Sequence, residues 1–599
     1  QGKGKTRMTL RDLNIATGLY TINTDRGAKG RWKDGNHVRF YQGLPQKIGG
    51  WTISVGTNSF VGKARGVVDW QSLTVEKIIG LGTSAKLYAW IGATFTDITP
   101  LRESGTLGNN PFAMTNTSTT VTVTDVGHGN LVGDYVHYAG ASAAGGITIN
   151  GEYTVVSVVD ADSYTITHSA AATSTVSGGG AAVTYQYEIH VGSADSVVGL
   201  GYGAGTYGSS TYGTPRLVSN FLSMARIWSL DNWGEDLIAC PRGGGIYAWD
   251  TSVGVGTRAA VISGAPTTAK AIMVSTENRH LIALGARDGS ADDPMLIKWC
   301  DSEDYTSWTA SATNTAGDKR LDSGNEIYCG VKNSREHLIF TDAALYSMRF
   351  EGPPYTFGFE SIGMNGGIAS PNAVKEMDGR VAWMGNGNFF IYDGAIRVLP
   401  CEVLNHVFDD INWIQRAKVF AGANRQYGEI WWLYCTAAAT ECDVYVIYNM
   451  VENHWSYGTL SRTLIVGDSD TFSTPYAAGT DGNLYDHESG VNDNASALAS
   501  SLESGDVDIG EGEYLMQVKK VIPDFVSLTG SVSMTLNGKK YPGSSETLSS
   551  TAETLTSSTK FVNPRIRARQ VSVSLSTSAV GNDWRMGTLR LDLKPHGKK

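Results

Sequence analysis

The sequence predicts a mainly β protein: a β-propeller of about six or seven blades, interrupted by a small inserted β-barrel or sandwich module and completed by a β-rich platform formed by the chain ends. Three observations predict it. An apolar strand, a turn with Gly, Asn or Asp, and a second strand centred on Tyr recur along the chain. The 71 Gly, 27 Tyr and 15 Trp stand among short Val/Ile/Thr runs, as many turns and half-buried strands require. Helix-forming stretches are scarce, the clearest being residues 402–412, where Val403, Leu404, Val407, Phe408 and Ile411 share one helical face.

The repeating unit first occurs as Ile78-Ile79-Gly80-Leu81-Gly82 before Leu87-Tyr88-Ala89-Trp90. It returns at residues 237–240 before 246–250, 281–285 before 296–299, 338–342 before 345–346, 381–387 before 390–393, 430–434 before 444–449, and 476–482 before 484–486. Each reads as a hairpin, and the spacing of about 40 to 55 residues is that of a four-stranded blade. The aromatic residue of each second strand is read as core.

At 599 residues the chain exceeds a single core, at about 150 residues per domain. Residues 1–50 are read as the N-terminal part of the platform and 51–104 as the first propeller segment. Residues 105–188, rich in Thr, Val, Ala and Ser, form the inserted module. The remaining blades fill 189–504, and 505–599 form the C-terminal β-domain of the platform. Within it, the Ser/Thr-rich segment 544–559 reads as a loop or a long hairpin tip.

The net charge of −10 conceals an asymmetry. Residues 1–50 and 560–599 each carry +7, leaving −24 on residues 51–559. Basic ends that fold together would make a docking platform, whereas solvated termini give the same pattern. No run reaches the roughly 18 apolar residues of a membrane span, and the six cysteines lack the paired spacing of a zinc site. Reduced, mostly buried thiols are expected.

Enzyme motifs are thin. Gly203-Ala-Gly-Thr-Tyr-Gly208 matches GxGxxG but continues into turn residues instead of a helix. Gly467-Asp468-Ser469-Asp470 is similar to a hydrolase nucleophile block, yet Asp592 and His596 lie four apart where such enzymes use three. Residues 302–308 approach the Asp-box turn of sialidase propellers without its central Gly. Asp288, Asp292 and Asp293, and Asp506 and Asp508, lack EF-hand spacing and read as solvated loops. No catalytic residue, cofactor site or metal site is assigned.

Several segments resemble the tail nozzle, or tail tubular, proteins of short-tailed bacteriophages (podoviruses). They are Gly30-Arg-Trp-Lys-Asp-Gly-Asn-His-Val-Arg-Phe40 with Leu44-Pro-Gln-Lys-Ile-Gly-Gly-Trp51, the Gly/Tyr tract 201–216, Trp228-Ser-Leu-Asp-Asn-Trp-Gly-Glu-Asp-Leu-Ile238, and Trp584-Arg-Met-Gly-Thr-Leu-Arg-Leu-Asp-Leu593. The resemblance implies a non-enzymatic structural protein of the virion tail, assembled in the host bacterial cytoplasm as a homohexameric ring below the tail adaptor. Its central channel would retain double-stranded DNA before infection and conduct it, without sequence recognition, during genome ejection. Tail fibres or tail-tip proteins are further expected neighbours. An acidic lumen would let DNA slide, because a basic one would hold its phosphates.

Arg31, Trp32, Arg39, Arg565, Arg567, Arg569 and Arg585 are the candidate contacts of platform and adaptor. Alternation places Arg565, Arg567 and Arg569 on one strand face, and Arg suits bidentate pairing with carboxylates. The alternative is a receptor-binding or glycan-cleaving β-propeller tail protein. It would show exposed Trp and Tyr, and for cleavage two carboxylates about 5–10 Å apart in a cleft.

Overall fold

The computed structural model describes residues 9–54, 59–197 and 224–597, apart from 290, 335, 354, 365–366, 470, 510–511, 543 and 545–546. The Gly/Tyr tract 201–216, with its GxGxxG match, lies outside them. Two compact units are present, one of residues 60–322 with 351–356, the other comprising the rest.

The first unit holds three four-stranded antiparallel blades. One is Ala64–Gln71, Lys77–Thr83, Leu87–Ile91 and Thr94–Asp97. The next is Trp228–Trp233, Asp236–Pro241, Tyr247–Trp249 and Ala260–Val261, and the third is Ala271–Val274, Leu281–Leu284, Leu296–Trp299 and Gly317–Arg320. The hairpins read from the sequence are the second and third strands of these sheets. Their alternation fails at Leu281–Leu284, where all four side chains are buried, as expected of a strand covered on both faces.

Blade packing in this unit depends on glycine. Trp228 lies across Gly66 and Gly82 of the preceding blade and donates from its indole N–H to the Thr83 carbonyl at 2.7 Å. A Cβ on Gly82 would stand 2.2 Å from Trp228 Cγ, so a methyl has no room unless the indole leaves its place. Gly82→Ala is expected to cost about 1–3 kcal/mol, read as a lower thermal transition. An unchanged transition would mean that Trp228 does not set the spacing.

The inserted module is a β-sandwich within this unit. Its four-stranded sheet runs in the order Leu101–Thr106, Thr184–Glu188, Tyr135–Ala139, Gly151–Thr154. Its five-stranded sheet has the order Ser157–Asp160, Ser163–Thr167, Thr120–Thr124, Phe112–Met114, Val176–Gly178. Phe112, Val121, Val136, Tyr138, Tyr164 and Tyr187 from both sheets form its core. The buried phenols would be costly without partners. Tyr164 and Tyr187 lie 3.0 Å apart at their hydroxyls, Tyr138 bonds Tyr164, and Tyr187 donates to Asp125 at 2.5 Å.

The terminal unit supplies four more blades, making seven among the described residues. They begin at Ile327–Lys332, Val374–Met377, Phe420–Asn424 and Arg462–Val466. The last is completed by an early strand, Trp51–Ile53, which pairs with Leu484–His487. Trp51 packs with Trp431, Leu433, Ile447 and Ile465. The expected helix is one short turn pair, Leu404–Phe408, held by buried Val403 and Val407.

Both chain ends enter one β-domain of this unit. Thr9–Leu13 pairs with Leu589–Pro595, Trp32–Asn36 with Ser500–Ser504, and Leu44–Lys47 meets Asp583–Met586 where Gln46 faces Arg585. Segment 544–559, expected as a loop or a long hairpin tip, is partly strand. It contributes Thr547–Ser549 and Glu553–Leu555 to the long strand Val532–Lys539, because Leu555 buries its side chain completely beside the similarly buried Val532.

Candidate functional site

The residues expected to contact an adaptor fall into three environments in the terminal unit. Trp32 and Arg39 are buried, at 2% and 0% exposure, within the terminal unit. Arg31 is engaged at both ends of its fork, with Nη2 2.9 Å and Nη1 3.1 Å from the two Glu402 oxygens. Arg569 donates to the Gly512 and Glu513 carbonyls, and Arg585 to the Tyr41 carbonyl and Gln42. Arg565 and Arg567 are exposed, with Ile566 and Ala568 buried between and behind them, and Arg567 donates to the His596 carbonyl at 3.4 Å.

Part of the basic character of the N-terminal end is balanced locally. Lys29 meets Asp508 at 2.6 Å, Lys33 meets Glu503 at 3.1 Å, and Lys539 meets Asp506 at 3.2 Å. Asp506 and Asp508 are therefore ion-pair partners within the domain. Asp292 and Asp293 are similarly placed against Arg287 and Arg320, while the side chain of Asp288 lies outside the described residues.

Arg39 has a structural task. It runs from strand Val38–Tyr41 to Glu429 and Glu488 in two blades, 3.1 and 2.5 Å away, with Tyr427 under its guanidinium at 3.8 Å. Burial works against its charge, but the two carboxylates keep it firmly protonated. Burial likewise pushes Glu429 up, and the Trp431 indole N–H donates to its second oxygen at 3.0 Å. Nearby, burial and the charges of Arg462 and Arg39 hold His487 well below the ordinary histidine range, so it is neutral.

The first unit contains a second charge centre that no local motif announced. Lys86, in the tight turn after Thr83, places its ammonium 2.7 Å from Asp97 and 3.3 Å from Glu188, and also pairs with Glu152 of the sandwich. Arg258 adds a contact of 2.9 Å to Glu188. The carboxylate oxygens of Asp97, Glu152 and Glu188 lie within 4.8 Å of one another, close enough to share a divalent cation, but a lysine ammonium sits among them. Four segments distant in sequence thus meet at one point, which only a signal coupling residues 86 and 188 would have revealed.

Burial, with Asp97 beside it, pushes Glu188 up to about 7 against the pull of Lys86 and Arg258. Its ordinary value is 4.5, so between these values the folded chain holds a proton that the unfolded chain releases. This group's contribution therefore weakens as pH rises through that window. Glu188→Gln is expected to flatten the fall in thermal stability of this unit from about pH 4.5 to 7. A slope equal to that of the parent would remove Glu188 as its source.

The enzyme-like motifs have structural uses. Ser469 Oγ accepts from the backbone N–H groups of Thr471 and Phe472, and Asp468 accepts from that of Arg425; Asp470 lies outside the described residues. In the Asp-box-like segment, Asp304 accepts from the N–H and hydroxyl of Thr306, and buried Trp308 donates to the Tyr305 carbonyl at 2.7 Å. This is a blade turn.

No protein-family model and no curated protein matches the chain. Among solved structures, it is similar over 80% of its length to 74% of a phage phi92 endosialidase, at 11% identity and a TM-score of 0.19. It is similar over 93% to 86% of PorZ, a bacterial surface component of the type-IX secretion system of Porphyromonas gingivalis, at 10% identity and a TM-score of 0.29. The extracellular domain of the one component system BT4673 from B. thetaiotaomicron aligns over 94% of this chain and 89% of its own, at 11% identity and a TM-score of 0.28. Similarities of this size transfer no residue roles.

Proposed function

We propose that this chain is a non-enzymatic structural subunit of the tail nozzle of a short-tailed bacteriophage. Six copies form a ring below the tail adaptor, and its channel retains DNA before infection and conducts it during ejection. The observation that carries this reading is the weaving of both chain ends into one β-domain, which presents Arg565 and Arg567 outward. A domain closed by both ends is a rigid base, and the two guanidinium groups suit carboxylates on an adaptor ring. The −24 of residues 51–559 suits a wall along which DNA moves without being held.

Electron cryomicroscopy of the purified protein and of intact particles tests the reading. A six-fold ring around a channel beneath the adaptor is expected. In particles carrying Arg565→Glu with Arg567→Glu, the ring is expected to form but to be lost from the tail. A peripheral trimer, or a monomer, would overturn the nozzle assignment.

A further inference from the structure

The sandwich module carries a groove with a volume of about 460 Å3, within the range of small-ligand sites. It opens beside the edge strand Gly151–Thr154 and the end of Ser163–Thr167. Tyr153 lines it, supported from behind by Tyr138 at 5.9 Å and stacked with His168 at 6.1 Å and 25°. An aromatic ring held on both flanks keeps its orientation without a ligand.

Around Tyr153 stand Asn150, Glu152, Thr154, Val156, Thr167 and Ser169. Asn150 is oriented by accepting the Ala141 N–H at 3.0 Å, and Glu152 is anchored by Lys86. Thr167 and Ser169 are exposed. The lining thus combines one aromatic surface and one valine, Val156, with short hydroxyl, amide and carboxylate groups. Lys86, the nearby cation, is 3% exposed and already shared by three carboxylates, so it gives an anionic ligand no accessible counter-charge. An apolar ligand would strip water from the hydroxyls without replacing their hydrogen bonds.

We propose that this groove binds a segment of a neutral oligosaccharide chain. A sugar's C–H face packs on the part of Tyr153 that lines the groove, as apolar ligand surface lies on pocket aromatics, and its hydroxyls exchange hydrogen bonds with Asn150, Glu152, Thr167 and Ser169. Burial raises the Tyr153 phenol, which keeps it a neutral donor at working pH. The site lies within the module and stands independently of the ring.

Calorimetric titration of the full chain with maltotriose, cellotriose and chitotriose, against glucose, N-acetylglucosamine and sialyllactose, is the test. At least one neutral trisaccharide is expected to bind, more tightly than its monosaccharide and than sialyllactose. Ser169→Arg, which fills the groove from an exposed position, should weaken it at least about ten-fold with the thermal transition unchanged. Tyr153→Ala should do the same, and Tyr153→Phe should retain most binding; should Tyr153→Ala unfold the module, Ser169→Arg still decides. Absence of binding at millimolar sugar, equal binding of the monosaccharide, preference for sialyllactose, or indifference to Ser169→Arg would each overturn the proposal.

Discussion

Arg39→Met is expected to lower the stability of the terminal unit by about 3–5 kcal/mol, the usual cost of removing one partner from a buried ion pair. The side chains of Arg39 and Glu429 are each 1% exposed, so water cannot replace the lost guanidinium. Glu488 would retain the Asn424 amide at 3.2 Å, whereas Glu429 would keep the Trp431 indole as a neutral donor. Chemical denaturation followed by Trp fluorescence reads the loss, since Trp431 reports on this site. The double variant Arg39→Met with Glu429→Gln should recover part of it, because a neutral pair leaves no uncompensated charge. A single variant as stable as the parent would mean that the blades and the chain-end strand are held by apolar packing alone.

Lys86→Met carries the second large effect, about 3 kcal/mol at neutral pH. It leaves Asp97, Glu152 and Glu188 facing one another with Arg258 as the remaining cation. Their repulsion raises Glu188 further above its ordinary range, so protonation on acidification relieves the strain. The deficit relative to the parent is therefore expected to be larger at about pH 8 than at about pH 5, measured as thermal transitions at each pH. Because Glu152 belongs to the sandwich and Asp97 to the first blade, hydrogen exchange should rise in both Gly151–Thr154 and Thr94–Asp97. Equal deficits at both pH values would show that Lys86 acts through packing of its stem instead of its charge.

These two centres mark the limit of what could be read before the structure. Repetition of apolar strand, Gly turn and Tyr-centred strand is local, so the hairpins of all seven blades were visible in order, from Ile78 to Asp486. The inserted module was visible as a stretch, because the Thr, Val, Ala and Ser richness of residues 105–188 is a local property of the chain. The helix was legible over residues 402–412 from the shared face of Val403, Leu404, Val407, Phe408 and Ile411, of which Leu404–Phe408 is helical.

The mainly β class, the hairpin repeat, the inserted module and the basic ends are therefore legible in the order of residues alone. How the charges are used depends on contacts made in the fold. Arg39 and Arg567 look alike in a β-strand, but one is buried against Glu429 and Glu488, about 390 and 450 residues away along the chain, and the other is exposed and donates to the His596 carbonyl. Lys86 likewise acquires Glu152 and Glu188 only when the sandwich folds back on its blade. Strand periodicity reflects short-range geometry, whereas the partner of a buried charge is selected by long-range closure, where desolvation is repaid only by the groups that arrive there.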